Sequence, residues 1–159
     1  MKITILTVGK IKEKYLSDAI AEYQKRLGRY CRLEIIHVQD EKTPDSPTDV
    51  QKAQILNKEA ARLLPYIKDT SHVIALAIDG KQLSSEQLSD MINGLGIKSI
   101  SHIVFIIGGS LGLSENILSR ADFKLSFSKM TFPHQLMRVI LLEQLYRSYR
   151  IINGEPYHK

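Results

Sequence analysis

Two short runs constrain this chain more than any other feature: Val73-Ile74-Ala75-Leu76-Ala77-Ile78 and Ile103-Val104-Phe105-Ile106-Ile107. Both are apolar without a break. A strand with one wet face alternates, whereas a strand covered on both faces reads as a continuous run, the pattern of a parallel sheet between helical layers. Parallel neighbours need crossover connections, and these are usually helices.

The rest of the chain fits that demand. Ile3 to Val8 is rich in β-branched residues and ends at Gly9, so it reads as a strand. Tyr15, Leu16, Ala19, Ile20, Tyr23 and Leu27 repeat at helical spacing, with Gly28 as the stop. Leu33 to Val38 is a second strand, and Asp40 to Pro47 a loop. Ser46-Pro47 is the expected start of a helix that turns Val50, Ala53, Leu56, Ala60 and Leu63 inward and stops before Pro65. Ser84 with Gln87 predicts a capping box ahead of Leu88, Met91 and Ile92. Ser114 caps a short helix, Phe123, Leu125 and Phe127 alternate, and a long helix runs from near Pro133 to about Ile152. The order is five βα units. It predicts one three-layer α/β domain over residues 1–159 with a mostly parallel sheet.

Composition narrows the function classes. With 43% hydrophobic and 25% charged residues in 159, the chain is neither disordered nor fibrous. No apolar run approaches a membrane span. The opening residues are too weakly apolar for a signal peptide, and the single Cys31 rules out an internal disulfide. The expectation is a cytoplasmic protein. The five histidines are scattered, so no metal site is expected, and no G-x-S-x-G suggests a hydrolase. The net charge of +5 is uneven. Lys10, Lys12, Lys14, Lys25, Arg26, Arg29 and Arg32 crowd the first helix, and Lys129, Arg138, Arg147, Arg150 and Lys159 the C-terminal region. Two basic ends suit a polyanion, or are simply a solvated surface.

Ligands of open α/β sheets sit beyond the carboxyl ends of the strands. Three segments fall there: Leu76 to Gly80, Gly108 to Ser114, and Ser126 to His134. The glycine segment is neither G-x-G-x-x-G nor a P-loop, and serves equally as a ligand cradle or a tight turn. Phe127, Met130 and Phe132 stand among hydroxyls and one lysine. They either line a slot for a flat ring or plug the sheet's end as core. The last helix is apolar on most sides, from Leu136 to Ile152, and a symmetric partner is the expected cover. Tyr157-His158-Lys159 is either a frayed end or a clamp that stacks on a base and supplies positive charge.

Several of these runs together resemble one family. They are Phe105 to Leu113 with its Gly108-Gly109, Leu125 to His134 with Thr131-Phe132-Pro133-His134, Arg138-Val139, Glu143 to Arg147, and Pro156-Tyr157-His158-Lys159. The chain resembles, over essentially its whole length, the bacterial ribosomal RNA large subunit methyltransferase H family of the SPOUT class. The resemblance implies an α/β domain with a C-terminal trefoil knot, a homodimer, and transfer of a methyl from S-adenosylmethionine to N3 of a pseudouridine in 23S ribosomal RNA. By position it implies cofactor contacts at Leu76, Gly108, Phe127, Ser128, Lys129, Met130, Thr131 and Phe132. It leaves His158, Tyr157, Lys159 and Arg147 as candidates for the chemistry on the RNA side. A non-catalytic RNA-binding protein of the same fold is the competing reading.

Overall fold

Strand β1 (Lys2–Val8) lies inside the sheet and not at its edge. In the computed structural model, which describes residues 1–159, it pairs in parallel with β2 (Arg32–Val38) on one side and β4 (His102–Ile107) on the other. β4 then pairs with β3 (His72–Gln82), and β3 with the edge strand β5 (Phe123–Ser126). The order is β2-β1-β4-β3-β5, with every pair parallel. The two unbroken runs form the inner strands β3 and β4. Side chains alternate between two layers: Ile103, Phe105 and Ile107 enter one core, Val104 and Ile106 the other.

The first core is roofed by α1 (Lys14–Leu27), α3 (Ser85–Ile97) and α5 (His134–Ile152). The second lies under α2 (Asp49–Leu63) and the short α4 (Glu115–Arg120). Ser84 and Gln87 make the expected capping box, and the Ser114 hydroxyl accepts from the Ile117 N–H. The start of α2 differs from expectation. Its cap is Thr48, whose Oγ1 accepts the Gln51 N–H at 3.2 Å while the Gln51 side chain accepts the Thr48 N–H at 2.9 Å. The reciprocal pair outweighs the proline signal two residues earlier. The buried face of α2 differs too. Residues 49–54 are all exposed, Val50 included, and the buried positions are Ile55, Glu59, Ala60 and Leu63. On α1, Tyr15 is exposed and Leu16, Ile20 and Leu27 carry the contact.

The breadth of apolar surface on α5 has an explanation inside one chain. α5 lies between α1 and α3 and on the sheet, so Leu141, Leu142 and Leu145 are fully buried in the first core. Leu142 and Leu145 are therefore not interface residues. Leu142→Glu puts an unpaired charge in the core, and we expect loss of cooperative folding, seen as a collapsed thermal transition.

Arg138 is the largest fully buried side chain. Its Nη2 donates to the carbonyls of Val8 and Gly9 at 2.8 and 2.9 Å, tying the start of α5 to the end of β1. No carboxylate pairs with it, and burial pulls its pKa down to about 10. Arg138→Met leaves two acceptors without donors. It should cost about 2–4 kcal/mol, or roughly 10 °C in melting temperature. An unchanged melting temperature would mean that water replaces the guanidinium at no loss.

Candidate active site

A cavity of about 630 Å³ opens beyond the carboxyl ends of β3, β4 and β5. Three local irregularities build it. The first is in β3, where Leu76 and Lys81 both pair with Leu125, so the residues between them bulge outward. Ala77 and Ile78 thereby become cavity wall, and Ser126 Oγ secures the bulge by donating to the Ile78 carbonyl at 2.8 Å. The second is the turn after β4. The Gly112 N–H donates to the Gly109 carbonyl at 3.1 Å, and Gly112 sits at φ +84°, where glycine carries little cost. A Cβ on Gly108 would stand 2.2 Å from the Gly112 carbonyl oxygen, so this turn closes only around glycine. The third is the segment from Phe127 to Pro133, which carries the chain from the edge strand back to α5.

The open choice between slot and core is resolved in favour of the slot. Met130 is 73% exposed and Phe132 stands at the rim, yet both line the cavity with Phe127. Leu76, Gly108, Ser128 and Thr131 line it as well. Lys129, whose side chain is exposed, does not. His134 and Met137, from the first turn of α5, close the floor. Burial, and then the Arg138 guanidinium, hold the His134 imidazole below its usual pKa, which favours the neutral ring. An apolar slot with backbone groups at its edges fits an adenosine-type ligand.

The tail is ordered by named contacts. Gly154 turns at φ +62°, and the chain folds back along α5. Tyr157 Oη donates to Glu143 Oε1 at 3.0 Å, and the Arg147 guanidinium lies 4.7 Å from the Tyr157 ring centroid. The Tyr146 ring meets Tyr157 edge-on at 4.9 Å. Arg147 Nη1 lies 3.2 Å from His158 Nδ1, and His158 Nε2 lies 2.8 Å from Glu86 Oε1. A guanidinium only donates, so Nδ1 accepts and Nε2–H donates, which fixes the tautomer. The Glu86 carboxyl is held down to about 2 by its own backbone N–H and then by His158. Burial, then the bond to Glu143, pushes the Tyr157 phenol up to about 12. Arg150 binds Glu155, Tyr30 and the Pro156 carbonyl, while Lys159 is exposed.

Arg147, Tyr157 and His158 thus form one cluster, but not at the cavity. Thirteen residues of helix separate His134 from Arg147, about 20 Å at 1.5 Å per residue. Of two residues beside the site, the sequence reading missed one entirely and the partners of the other. Arg138 was seen but not its partners, which lie about 130 positions away. Glu59 is an acid on the otherwise apolar Ile55–Glu59–Leu63 stripe, and that stripe was the available signal.

No group of three or more His, Cys, Asp or Glu is placed to hold a metal, and no helix is long and apolar enough to cross a membrane. Among known proteins, the chain is 67% identical to the ribosomal RNA large subunit methyltransferase H of Bifidobacterium adolescentis and 60% identical to that of Clostridium beijerinckii. Both alignments cover all of both chains. A chain from Methanococcus maripaludis is 69% identical over the same span. The fold also matches the structure of a probable methylase family protein from Haemophilus influenzae Rd KW20, with a TM-score of 0.57 at 12% identity, over 99% of this chain and 70% of that one. The family described as "Predicted SPOUT methyltransferase" matches residues 1–158, and with full-length relatives at this identity the chain belongs to the SPOUT methyltransferases.

Proposed function

We propose that this chain is an S-adenosylmethionine-dependent methyltransferase acting on N3 of a pseudouridine in 23S ribosomal RNA. It works in the cytoplasm as a homodimer of single-domain subunits, each with its C-terminal part threaded as a trefoil knot. The observation that carries the reading is the cavity. Seven of the eight positions that the resemblance gives to the cofactor line it: Leu76, Gly108, Phe127, Ser128, Met130, Thr131 and Phe132. The β3 bulge, the 108–112 turn and the 127–133 segment would be the crossings of the knot. The relatives' names supply the ribosomal RNA.

When bound, S-adenosylmethionine supplies a methyl group already activated on a sulfonium. The cavity residues orient it. Phe127, Met130 and Phe132 enclose a flat ring, and the exposed backbone of Gly108 lets the ligand approach the strand end. The remaining work is on the RNA. The N3 proton must pass to water before attack, which leaves an imide anion whose charge rests on its two oxygens until N3 takes the methyl. Arg147 and Lys159 are the cations for that charge, Tyr157 is the stacking surface, and His158, its Nε2–H given to Glu86, positions Arg147 through Nδ1.

In one subunit those groups stand about 15 Å along α5 from Met137, the last residue of the cavity. The dimer is therefore part of the site in this reading: the tail of one protomer covers the cavity of the other. A stripe of α5 residues less buried than the core, Leu136, Ile140, Glu143 and Arg147, offers a self-complementary face for a two-fold pair. The test is calorimetry with S-adenosylmethionine, NAD and ATP, followed by transfer of labelled methyl to ribosomal particles lacking the modification. Selective binding of the first ligand and labelling of N3 are expected. Binding of NAD or ATP in its place would overturn the reading.

A further inference from the structure

Glu59 has no role in the machinery described so far. It sits on α2 with 5% of its surface exposed, and its Oε2 is buried without a hydrogen-bond partner. A carboxylate in that condition is costly, and such groups in folded proteins have partners or a task. Its location suggests the task. The chain leaves β1 toward β2 on one side and leaves β4 toward β5 on the other, so a crevice opens between the two strand ends. The Glu59 carboxyl lies beside both strand ends, next to Gly109 after β4 and near Val8 of β1. Oε2 and Oε1 lie 3.2 and 3.6 Å from where a Cβ of Gly109 would stand, with Val8 Cγ1 at 3.3 Å from the same point. Gly109 lines the cavity, and it has no side chain to stand between the carboxyl and its own backbone.

The cavity lining itself contains no acidic residue. The proposed cofactor carries two cationic centres, the sulfonium and the α-ammonium of its methionyl part. The adenosine end belongs in the apolar slot among Phe127, Met130 and Phe132, which leaves the methionyl end for the glycine turn. We propose that Glu59 is the anionic anchor for the α-ammonium of S-adenosylmethionine, reached across the bare backbone of Gly109. This rests on the cofactor reading above.

Titration gives the anchor a signature. Burial, then the charges of Asp40 and Glu41 in the loop after β2, raise the Glu59 pKa to about 7, opposed by Arg62 one turn along α2. A bound ammonium favours the ionised form and lowers that pKa. Below about pH 7 the free protein holds a proton that the complex releases. Affinity should therefore climb with pH up to about 7 and level off above it.

The experiment uses the full chain, Glu59→Gln, and two ligands that differ only in the amino-acid part. S-adenosylhomocysteine keeps the ammonium without the sulfonium, and 5′-methylthioadenosine has neither. Calorimetry in two buffers of different ionisation enthalpy reads affinity and proton release together. For Glu59→Gln we expect S-adenosylhomocysteine and S-adenosylmethionine to bind about tenfold more weakly, with proton release and pH dependence abolished. Affinity for 5′-methylthioadenosine should be unchanged. Unchanged binding of S-adenosylhomocysteine would overturn the proposal. So would equal weakening of all three ligands, which would make Glu59 a prop of the pocket, or weakening confined to S-adenosylmethionine, which would make it a sulfonium contact. If the wild-type chain binds none of the three, the cofactor reading itself falls, a result distinct from each of these.

Discussion

Deleting Tyr157, His158 and Lys159 should leave S-adenosylmethionine affinity within about twofold and reduce methyl transfer at least a hundredfold. The magnitude follows from losing a stacking ring and two groups that face developing charge, each worth one to two orders of magnitude. The affinity is preserved because every residue lining the cavity lies between Leu76 and Met137, and in this reading the partner's tail serves the RNA and not the cofactor. A subunit swap sharpens the test. Gly108→Val spoils the cavity and keeps the tail, while the truncation does the reverse. Each is expected to be inactive alone. Mixed and refolded together, half of the dimers would be heterodimers with one intact site of two, so about a quarter of wild-type activity should return. Sedimentation must show mixed dimers. If they form and no activity returns, cavity and tail of the working site come from the same subunit. Wild-type rates from the truncated protein would make the tail dispensable.

Gly108→Val on its own carries the second large effect, an expected loss of S-adenosylmethionine binding of a hundredfold or more. The cause lies in the turn before it lies in the ligand. A Cβ at 2.2 Å from the Gly112 carbonyl oxygen cannot be accommodated, so the 108–112 turn must open and displace a cavity wall. The control is Gly112→Ala. Its φ of +84° makes alanine unfavourable by about 1 kcal/mol, but nothing lies within 4 Å of the added methyl. That variant should lose a little stability and keep most of its affinity. Equal binding by both variants and the wild type would reduce the glycine turn to a connector. Thermal unfolding run in parallel separates a lost wall from a lost fold.

What the sequence disclosed, and what it hid, divides along a physical line. Local signals were legible. The unbroken runs marked the inner strands β3 and β4, Ser84 with Gln87 marked a cap, and Ser114 another, because each acts within a few residues. Side-chain destinations set by distant parts were not. Val50 and Ala53 repeat at helical spacing with Leu63, yet only the later turns of α2 reach the sheet. Leu142 and Leu145 looked in need of a partner because nothing local shows that α1 and α3 flank α5. At the site, the family motif led to the cavity positions, whereas Glu59 and the partners of Arg138 depend on strand ends brought together by the sheet order.

That sheet order also sets a schedule for synthesis. β1 is the first strand made, but it is held between β2 and β4, and β4 ends at residue 107. At elongation speeds of roughly 5–20 residues per second, one flank of the nascent strand waits on the order of 5–20 s for its neighbour. During that wait an apolar edge, Ile3, Ile5 and Leu6, has open backbone donors and acceptors. The chain must then close a long-range parallel pairing, which is the slow kind. Yield of folded protein should therefore respond more to chaperone supply and growth temperature than the stability of the finished fold suggests. Substitutions in β1 should act first through aggregation of unfinished chains.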